Sequence, residues 1–589
     1  MPASWILASA LAAPAASNSP PVITIELPPN PGWFTANHWG DLERIKITVT
    51  DPDGDRVTAD LVAAPTWEGF RPITNEPSGA TRELRWRTFR AGGGFHDLVV
   101  RAHDAVDPST VVVAKQRLLL LGVSVSQRAI AHDFDRDGRD ELLTSASYAD
   151  VGGAVDSGTL ALFDRFGTGG FGPAPTLLHA AIPGAGDRLG DADSGDLLIA
   201  DVTGDGRDDV IASDRHGALV WSAPIPGSAA RTPIAVLRGS DPAAGFTSHG
   251  QNLLVHDLTG DGILDLVAIA SSADLGGVNG VGEICIFAGG ASLQGAPAPW
   301  ARLQVPGAVA HDLLGDVGTA FLPAQGAVIA DVTGDGRADV VALASWADRG
   351  AVKNSGKGYV WDGASLAGTP APRAILDAAA AKADDVIGLG RGPLIVDLTG
   401  DGVQDVLIDG NNVGSSGSWF LWHGGSGLTG TLDATARLRT SSAQAQTSVF
   451  TIRLRDFVRD GVTDLIGCNS YEDIAGVKDA GVVQFWRGGS HLTGLVFESA
   501  TFRRASPGVG DALGAVIGGL QVVDVTGDAI EDLVVASPLA AGVATKSGVI
   551  TVFAGGGVVS GTTLPSAELQ VPAAAADDRM GDARSYSAE

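Results

Sequence analysis

One nine-residue pattern recurs seven times along this chain, and that repetition limits the possible folds more than any other feature of the sequence. The copies are DFDRDGRDE from Asp133, DVTGDGRDD from Asp201, DLTGDGILD from Asp257, DVTGDGRAD from Asp331, DLTGDGVQD from Asp397, DFVRDGVTD from Asp456 and DVTGDAIED from Asp524. Successive copies start between 56 and 74 residues apart. A period of that size marks a repeat architecture in which each copy belongs to one supersecondary unit. Each copy is followed by an apolar run such as LVAIASS, VVALASW or LVVASP, then a glycine-rich stretch, then a run that closes on an aromatic: Phe163, Trp221, Phe287, Trp361, Trp422, Trp486 or Phe553. A further short run, for example RAILD or AELQV, precedes the next copy. Four short strands per unit, separated by turn residues, predict an all-β fold. Units of this length and strand count match the blades of a seven-bladed β-propeller filling residues 121–589. A parallel β-helix would need shorter, more uniform rungs.

Composition agrees with tight turns between apolar strands: Gly is 80 of 589 residues and charged residues are only 18%. Hydrophobic residues make up 44%, enough for a core, so the acidity does not mark a disordered chain. The net charge of -28 repels phosphate backbones and anionic headgroups, which excludes nucleic acid as a partner. Cys285 and Cys468 are the only cysteines, which excludes a disulfide scaffold and a cysteine zinc cluster; both are expected as buried free thiols. No apolar stretch reaches the eighteen or so residues that span a bilayer, so no transmembrane segment is expected. Residues 1–19 contain an apolar run, Trp5 to Ala16, that suits a secretion signal. No Lys or Arg occurs before Arg44, so a linker is the other reading of this segment.

The repeated loops have the chemistry of a hard-cation cage. Acidic side chains at positions one, five and nine, an oxygen-bearing side chain at three and a backbone carbonyl at seven converge when the chain turns sharply at six. An all-oxygen set of that size favours calcium over magnesium, which keeps its waters, and over zinc, which wants His or Cys. The loop is shorter than an EF-hand, lacks its terminal Glu and lies between strands. Loop one offers Asp133, Asp135, Asp137, the Arg139 carbonyl and Glu141, the fullest set. Loop two offers Asp201, Thr203, Asp205, Arg207 and Asp209, and loop three Asp257, Thr259, Asp261, Ile263 and Asp265. Loop four offers Asp331, Thr333, Asp335, Arg337 and Asp339, and loop five Asp397, Thr399, Asp401, Val403 and Asp405. Loop six has Val458 at position three and has lost an oxygen. Loop seven, with Asp524, Thr526, Asp528, Ile530 and Asp532, replaces the position-six glycine by Ala529. About five calcium sites are expected, with seven as the upper bound. The bland alternative is that the Asp-Gly words are ordinary turns, but a turn needs one Asp and one Gly, not three carboxylates in fixed register.

With these loops the chain resembles the FG-GAP repeats of integrin-α-type propellers. The flanking segments GDRLG from Gly186 and GDALG from Gly510, and ASP at Ala536 to Pro538, carry the same resemblance, although the literal Phe-Gly and Gly-Ala-Pro words are lost in most copies. DDRMGD at Asp577 to Asp582 repeats GDRLGD at Gly186 to Asp191, the approach to another repeat. Residues 20–120 differ: PPVITIEL, RIKITVTDPDGDRVTADLV, ELRWRTF, HDLVVRAHDA and VVVAKQRLLLL read as the strands of a β-sandwich similar to Ig-like or cadherin-like modules.

A second constellation repeats. Asp150, Asp274, Asp348 and Asp473 each lie 17 residues after the first loop Asp, within SYAD, SSAD, SWAD and SYED. Tyr148, Trp346 and Tyr471 stand beside them, at the end of each unit opposite the acidic loops. The resemblance implies ligand engagement on that face, against the reading that these are hairpin turns with packed aromatics. The expected function is a secreted or cell-surface, calcium-binding, non-catalytic module that holds an extracellular protein or glycan. The alternative is a calcium-dependent extracellular enzyme of the polysaccharide lyase or phosphodiesterase type. No nucleophile elbow, zincin helix or phosphate-binding glycine loop favours it. A purely architectural spacer is the third reading.

Overall fold

The computed structural model describes residues 19–26, 33–35, 42–63, 67–68, 72–87, 94–105, 107, 109–121, 129–136, 139–164, 166–167, 170–171, 175–190, 197–224, 230–241, 244–246, 252–316, 325–389, 392–410, 418–441, 449–515, 519–528, 530–542, 544–556 and 559–572. The segment Trp5 to Ala16, the loop residues Asp137 and Ala529, and the tail Asp577 to Asp582 lie outside the described residues. The chain divides into two compact units, residues 1–123 and 124–589. The protein is all-β, and no helix among the described residues is long and apolar enough to cross a membrane.

In the first unit, Leu42–Thr50 is the central strand of one sheet, paired with Val22–Glu26 and Ala80–Arg87. Gly94–Asp104 is central in a second, between Val57–Ala63 and Val112–Leu121. Alternation puts Ile45, Ile47 and Val49 of the first sheet into one core with Val57, Ala59, Leu98, Val100 and Ala102 of the second.

Among the described residues the second unit contains seven successive sheets built alike, four of four strands and three with a fifth, besides one small two-stranded sheet. The first sheet runs Ala129–His132, Glu141–Ala146, Thr159–Phe163 and Thr176–Leu178, each strand antiparallel to the next. Its second strand begins at position nine of the acidic loop, and its third closes on Phe163. The same order holds down to the seventh sheet, Leu520–Val523, Asp532–Ser537, Val549–Phe553 and Ala567–Leu569. Many of the inner strands are buried on both faces, which is why they read as continuous apolar runs rather than alternating ones.

Neighbouring sheets pack against each other in chain order. Leu143, Leu160 and Leu162 of the first sheet share a core with Ile199, Val210 and Trp221 of the second. Similar clusters join the third sheet to the fourth, the fifth to the sixth and the sixth to the seventh. Among the closing aromatics, Trp221, Trp361 and Trp486 belong to these seams and, like Trp422, are at most 1% exposed. Their indole N–H groups donate to backbone carbonyls, as Trp361 Nε1 does to Pro370 at 3.2 Å. Cys285 and Cys468 are buried and free, as expected from the sequence.

Candidate metal centre

Each acidic loop joins the first and second strands of its sheet, and antiparallel pairing puts the loop after the second strand at the opposite end. The loop conformation is set by backbone amides donating to the loop's own carboxylates. In loop two, Asp201 accepts from the amides of Gly204, Asp205 and Gly206 at 2.8 to 3.2 Å. Asp205 accepts from the Arg207 amide at 2.8 Å. Asp209 is fully buried and accepts from the Val202, Thr203 and Ala223 amides, so it ties the loop to the end of the third strand. Loops three, four and five repeat the scheme through Asp257, Asp261 and Asp265, Asp331, Asp335 and Asp339, and Asp397, Asp401 and Asp405. Gly206, Gly262, Gly336 and Gly402 have φ between 82° and 87°, the sharp turn expected at position six.

Position four is also left-handed, which the Asp-Gly words did not announce. Gly204, Gly260, Gly334 and Gly400 stand there with φ of 71° to 78°. Loops one and six hold that conformation with Arg136 (62°) and Arg459 (59°), at a cost of roughly 1–2 kcal/mol each.

The carboxyls at position nine are shifted upward. Burial is the main cause, partly offset by the amide donors, and it pushes Asp209 and Asp339 up to about 6. Asp265 and Asp405 move in the same direction for the same reason. Asp532 in loop seven is buried as well, and burial is the largest single influence on it, but the Gly555, Val525 and Thr526 amides and the Thr526 hydroxyl together outweigh it and hold the carboxyl below the ordinary value.

The structure brings one three-carboxylate group together among the described residues: oxygens of Asp133, Asp135 and Glu141 lie within 4.8 Å of one another. Glu141 is 1% exposed; its Oε2 accepts from the Phe134 amide at 2.9 Å, and its Oε1 has no hydrogen-bond partner. Burial, followed by the charges of Asp135 and Asp133, raises its carboxyl above the ordinary range against the pull of the amide donors. Arg139 lies in the same loop. In loops two to five the acids at one, five and nine do not gather this closely.

Position three divides the other loops. The Thr203 and Thr259 hydroxyls donate to the position-nine carboxylates at 3.3 and 3.4 Å. Thr333 and Thr399 are 4% and 7% exposed; the Thr333 hydroxyl faces the Asp339 carboxylate and helps to hold it ionised, whereas the Thr399 hydroxyl has no hydrogen-bond partner. The side chains at position seven interlock the loops: a Cβ on Gly204 would meet Ile263, one on Gly334 would meet Val403 and one on Gly400 would meet Val462. Arg337 and Ile530 offer their amides to the position-five carboxylates of their own loops. In loop seven, Asp524 accepts from the Gly527 amide, and Thr526 donates its amide to Asp532. Asp528 accepts the Ile530 bond.

Loop six carries a substitute cation that the sequence reading missed. Arg487, one residue past the closing Trp486, pairs with the position-five carboxylate of Asp460 at 2.7 and 2.9 Å. Burial opposes the ionised form of Asp460, but the Arg487 hydrogen bond and charge prevail and its carboxyl is held below the ordinary value. The only signal in the sequence is an Arg after the aromatic where other repeats have Ala, Asp, His or Ser.

At the other end of the sheets, the repeated aspartates have a local task. Asp150, Asp274, Asp348 and Asp473 each accept the amide six residues on, from Asp156, Gly280, Asn354 and Asp479, at 2.7 to 3.0 Å. Each closes a small loop, and Asp348 also binds Lys353. The aromatics beside them differ: Tyr148 and Tyr471 are more than half exposed, and the Arg188 guanidinium lies 4.9 Å from the Tyr148 ring centre. Trp346 is half-buried, and its indole N–H has no hydrogen-bond partner.

No family model matches the chain, and no curated protein matches it. Among solved structures, it is similar to the PKD domain of an M14-like peptidase from a Thermoplasmatales archaeon. That match has 20% identity over 18% of this chain and 98% of that one, with a TM-score of 0.13. A second similarity is to rhamnogalacturonan lyase YesW, with 12% identity over 78% of this chain and 66% of that one and a TM-score of 0.28. At these scores neither likeness bears on activity, which rests on the residues themselves.

Proposed function

We propose that this chain is a calcium-binding, non-catalytic ligand-binding or adhesion module of the cell exterior, with its seven sheets arranged as the blades of a propeller. The chain-order packing of like sheets supports the arrangement. The observation that carries the calcium reading is Glu141, a buried carboxylate with one oxygen unpartnered beside Asp133 and Asp135. Leaving such an oxygen buried without a donor is costly, and a divalent cation supplies what no protein group does. The donors are all oxygens, which selects calcium. Loops two to five are the weaker sites, with the unpartnered Thr399 hydroxyl as the additional support in loop five. Loop six needs no ion, because Arg487 already neutralises Asp460. Oxygen cages of extracellular modules bind at roughly 0.1–1 mM, which suits the calcium concentration outside a cell.

The ligand surface is the end opposite these loops, where Tyr148, Trp346 and Tyr471 offer faces that stack on a sugar or anchor a protein side chain. The test is an array of glycans and extracellular proteins probed in calcium and in chelator. Once a ligand is in hand, Trp346→Ala should weaken it at least tenfold, about 1.4 kcal/mol, with bound calcium unchanged. Full affinity in both Trp346→Ala and Tyr148→Ala would place binding elsewhere.

A further inference from the structure

Six junctions between successive sheets are built the same way, and the seventh sheet lacks its counterpart. At each junction a segment just after the third strand of one sheet lies parallel to the fourth strand of the sheet before it. Ala235 pairs with Gly295 and Ala301 with Gly368. Ala374–Asp377 pairs with Gly430–Asp433, Ala436–Arg439 with Gly494–Phe497, and Ala500–Phe502 with Gly561–Thr563. Leu178 and Arg231 form the first junction. The hydrogen bonds recur too: the Gly295 amide donates to Ile234, and the Val236 amide donates back to Gly295, both at 2.7 Å. In the first six sheets the third residue of the fourth strand, Leu178, Leu237, Leu303, Leu376, Leu438 or Phe502, is at most 1% exposed. Its counterpart in the seventh sheet, Leu569, is 51% exposed, and Ala567 is exposed with it. Among the described residues no strand pairs with the outer edge of Ala567–Leu569. An exposed apolar edge of this kind is a pairing site.

The pattern names the occupant. In five of the six junctions the pairing segment begins with a glycine seven or eight residues after the closing aromatic, from Phe287 to Gly295 through Phe553 to Gly561. The one sheet whose corresponding segment joins no preceding sheet is the first. Counting seven residues on from Phe163 reaches Gly170, and Gly170–Phe171 is a strand whose described partner is Phe166–Gly167. We infer that the outer edge of Ala567–Leu569 is the docking site for Gly170–Phe171 of the same chain, which closes the seven sheets into a ring without a covalent link. This rests on the propeller reading given above. Ala567 stands opposite Gly170 and Glu568 opposite Phe171, the register of Ala374 with Gly430 and Ile375 with Thr431.

Two double-cysteine variants of the full chain test this. Phe171→Cys with Glu568→Cys reports the closure; Ile375→Cys with Thr431→Cys reports an observed junction. Adjacent strands lie about 4.8 Å apart, within disulfide reach. Both pairs should form an intramolecular disulfide in the monomer, to within twofold of each other. A closure pair that stays reduced while the junction pair forms overturns the closure and leaves the sheet order standing. Linkage between two chains assigns the edge to a second copy and overturns it equally. Failure of the junction pair overturns the sheet order, and the closure with it. Because Glu568 also accepts a hydrogen bond from Arg504, amide exchange on the unaltered chain gives a reading free of that change. The Glu568 amide should exchange at least a hundredfold slower than in an unstructured peptide, as should the Arg302 amide, which donates to Gly368 at an observed junction; exchange of Glu568 at the unstructured rate overturns the closure.

Discussion

Asp464, at position nine of loop six, accepts hydrogen bonds from the Phe457, Val458 and Gly488 amides, yet burial outweighs them and pushes its carboxyl up to about 6. The unfolded value is about 3.9, so between about pH 4 and 6 the folded chain holds a proton that the unfolded chain has lost. The stability from this group is therefore fully present below about pH 4 and is lost as pH rises through about 6. Asp464→Asn should be the less stable protein at pH 4, with a gap to the parent that narrows by pH 7. Melting midpoints across that range check this, and parallel curves reject it. At loop one, Glu141→Gln should lower calorimetric calcium stoichiometry by one. Asp460→Ala should leave the stoichiometry unchanged, because Arg487 holds that carboxylate; a lost calcium there would mean that loop six is a site after all. The three-carboxylate register of the loops was legible in the sequence because the carboxylates at positions one, five and nine each bind fixed backbone amides of their own loop, so the same acids recur at the same spacing. The roles of Arg487 and of the left-handed Arg136 and Arg459 were not, because a lone Arg carries no periodicity.

The strand ends show a second rule written in glycine. After the closing aromatic, Gly289, Gly363, Gly424, Gly488 and Gly555 each donate an amide to the position-nine carboxylate of their own sheet. A Cβ at any of them would lie 1.9 to 2.3 Å from the carbonyl of the residue preceding that carboxylate. This explains the words FAGG, WHGG and WRGG. The second sheet has Ala223 instead and makes the same bond with a φ of 37°. Gly488→Ala should cost about 2 kcal/mol by overpacking and loosen the Asp464 bond; urea unfolding measures it, and a change below about 0.5 kcal/mol would show that the backbone yields. Strands and sheet order were readable from apolar runs and aromatics spaced by the repeat. The aspartates at the opposite end were harder: their spacing suggested a ligand surface, but their carboxylates brace loops through amides, a local use that fixed spacing cannot distinguish from recognition. Only the neighbouring aromatics, Tyr148, Trp346 and Tyr471, keep exposed faces or an unspent donor.

At the scale of the molecule, the junctions are backbone pairings with little side-chain signature, which is why the sequence announced the repeats but not how they join. The net charge of -28 is concentrated in part on the acidic loops, and adjacent loops touch: His132 Nε2 lies 2.9 Å from Asp208 of the next loop. Calcium should therefore stabilise several sheets together. If five sites bind at ~0.1 mM in ~1 mM calcium, each adds about 1.4 kcal/mol, roughly 7 in all. For a unit of this size that corresponds to about 7 °C in melting midpoint. The decisive measurement is differential scanning calorimetry of the full chain in 1 mM calcium and in chelator. The transition of the larger unit should fall by about 7 °C when calcium is removed, with the smaller unit's transition much less affected. Superimposable melts would contradict calcium binding by these loops.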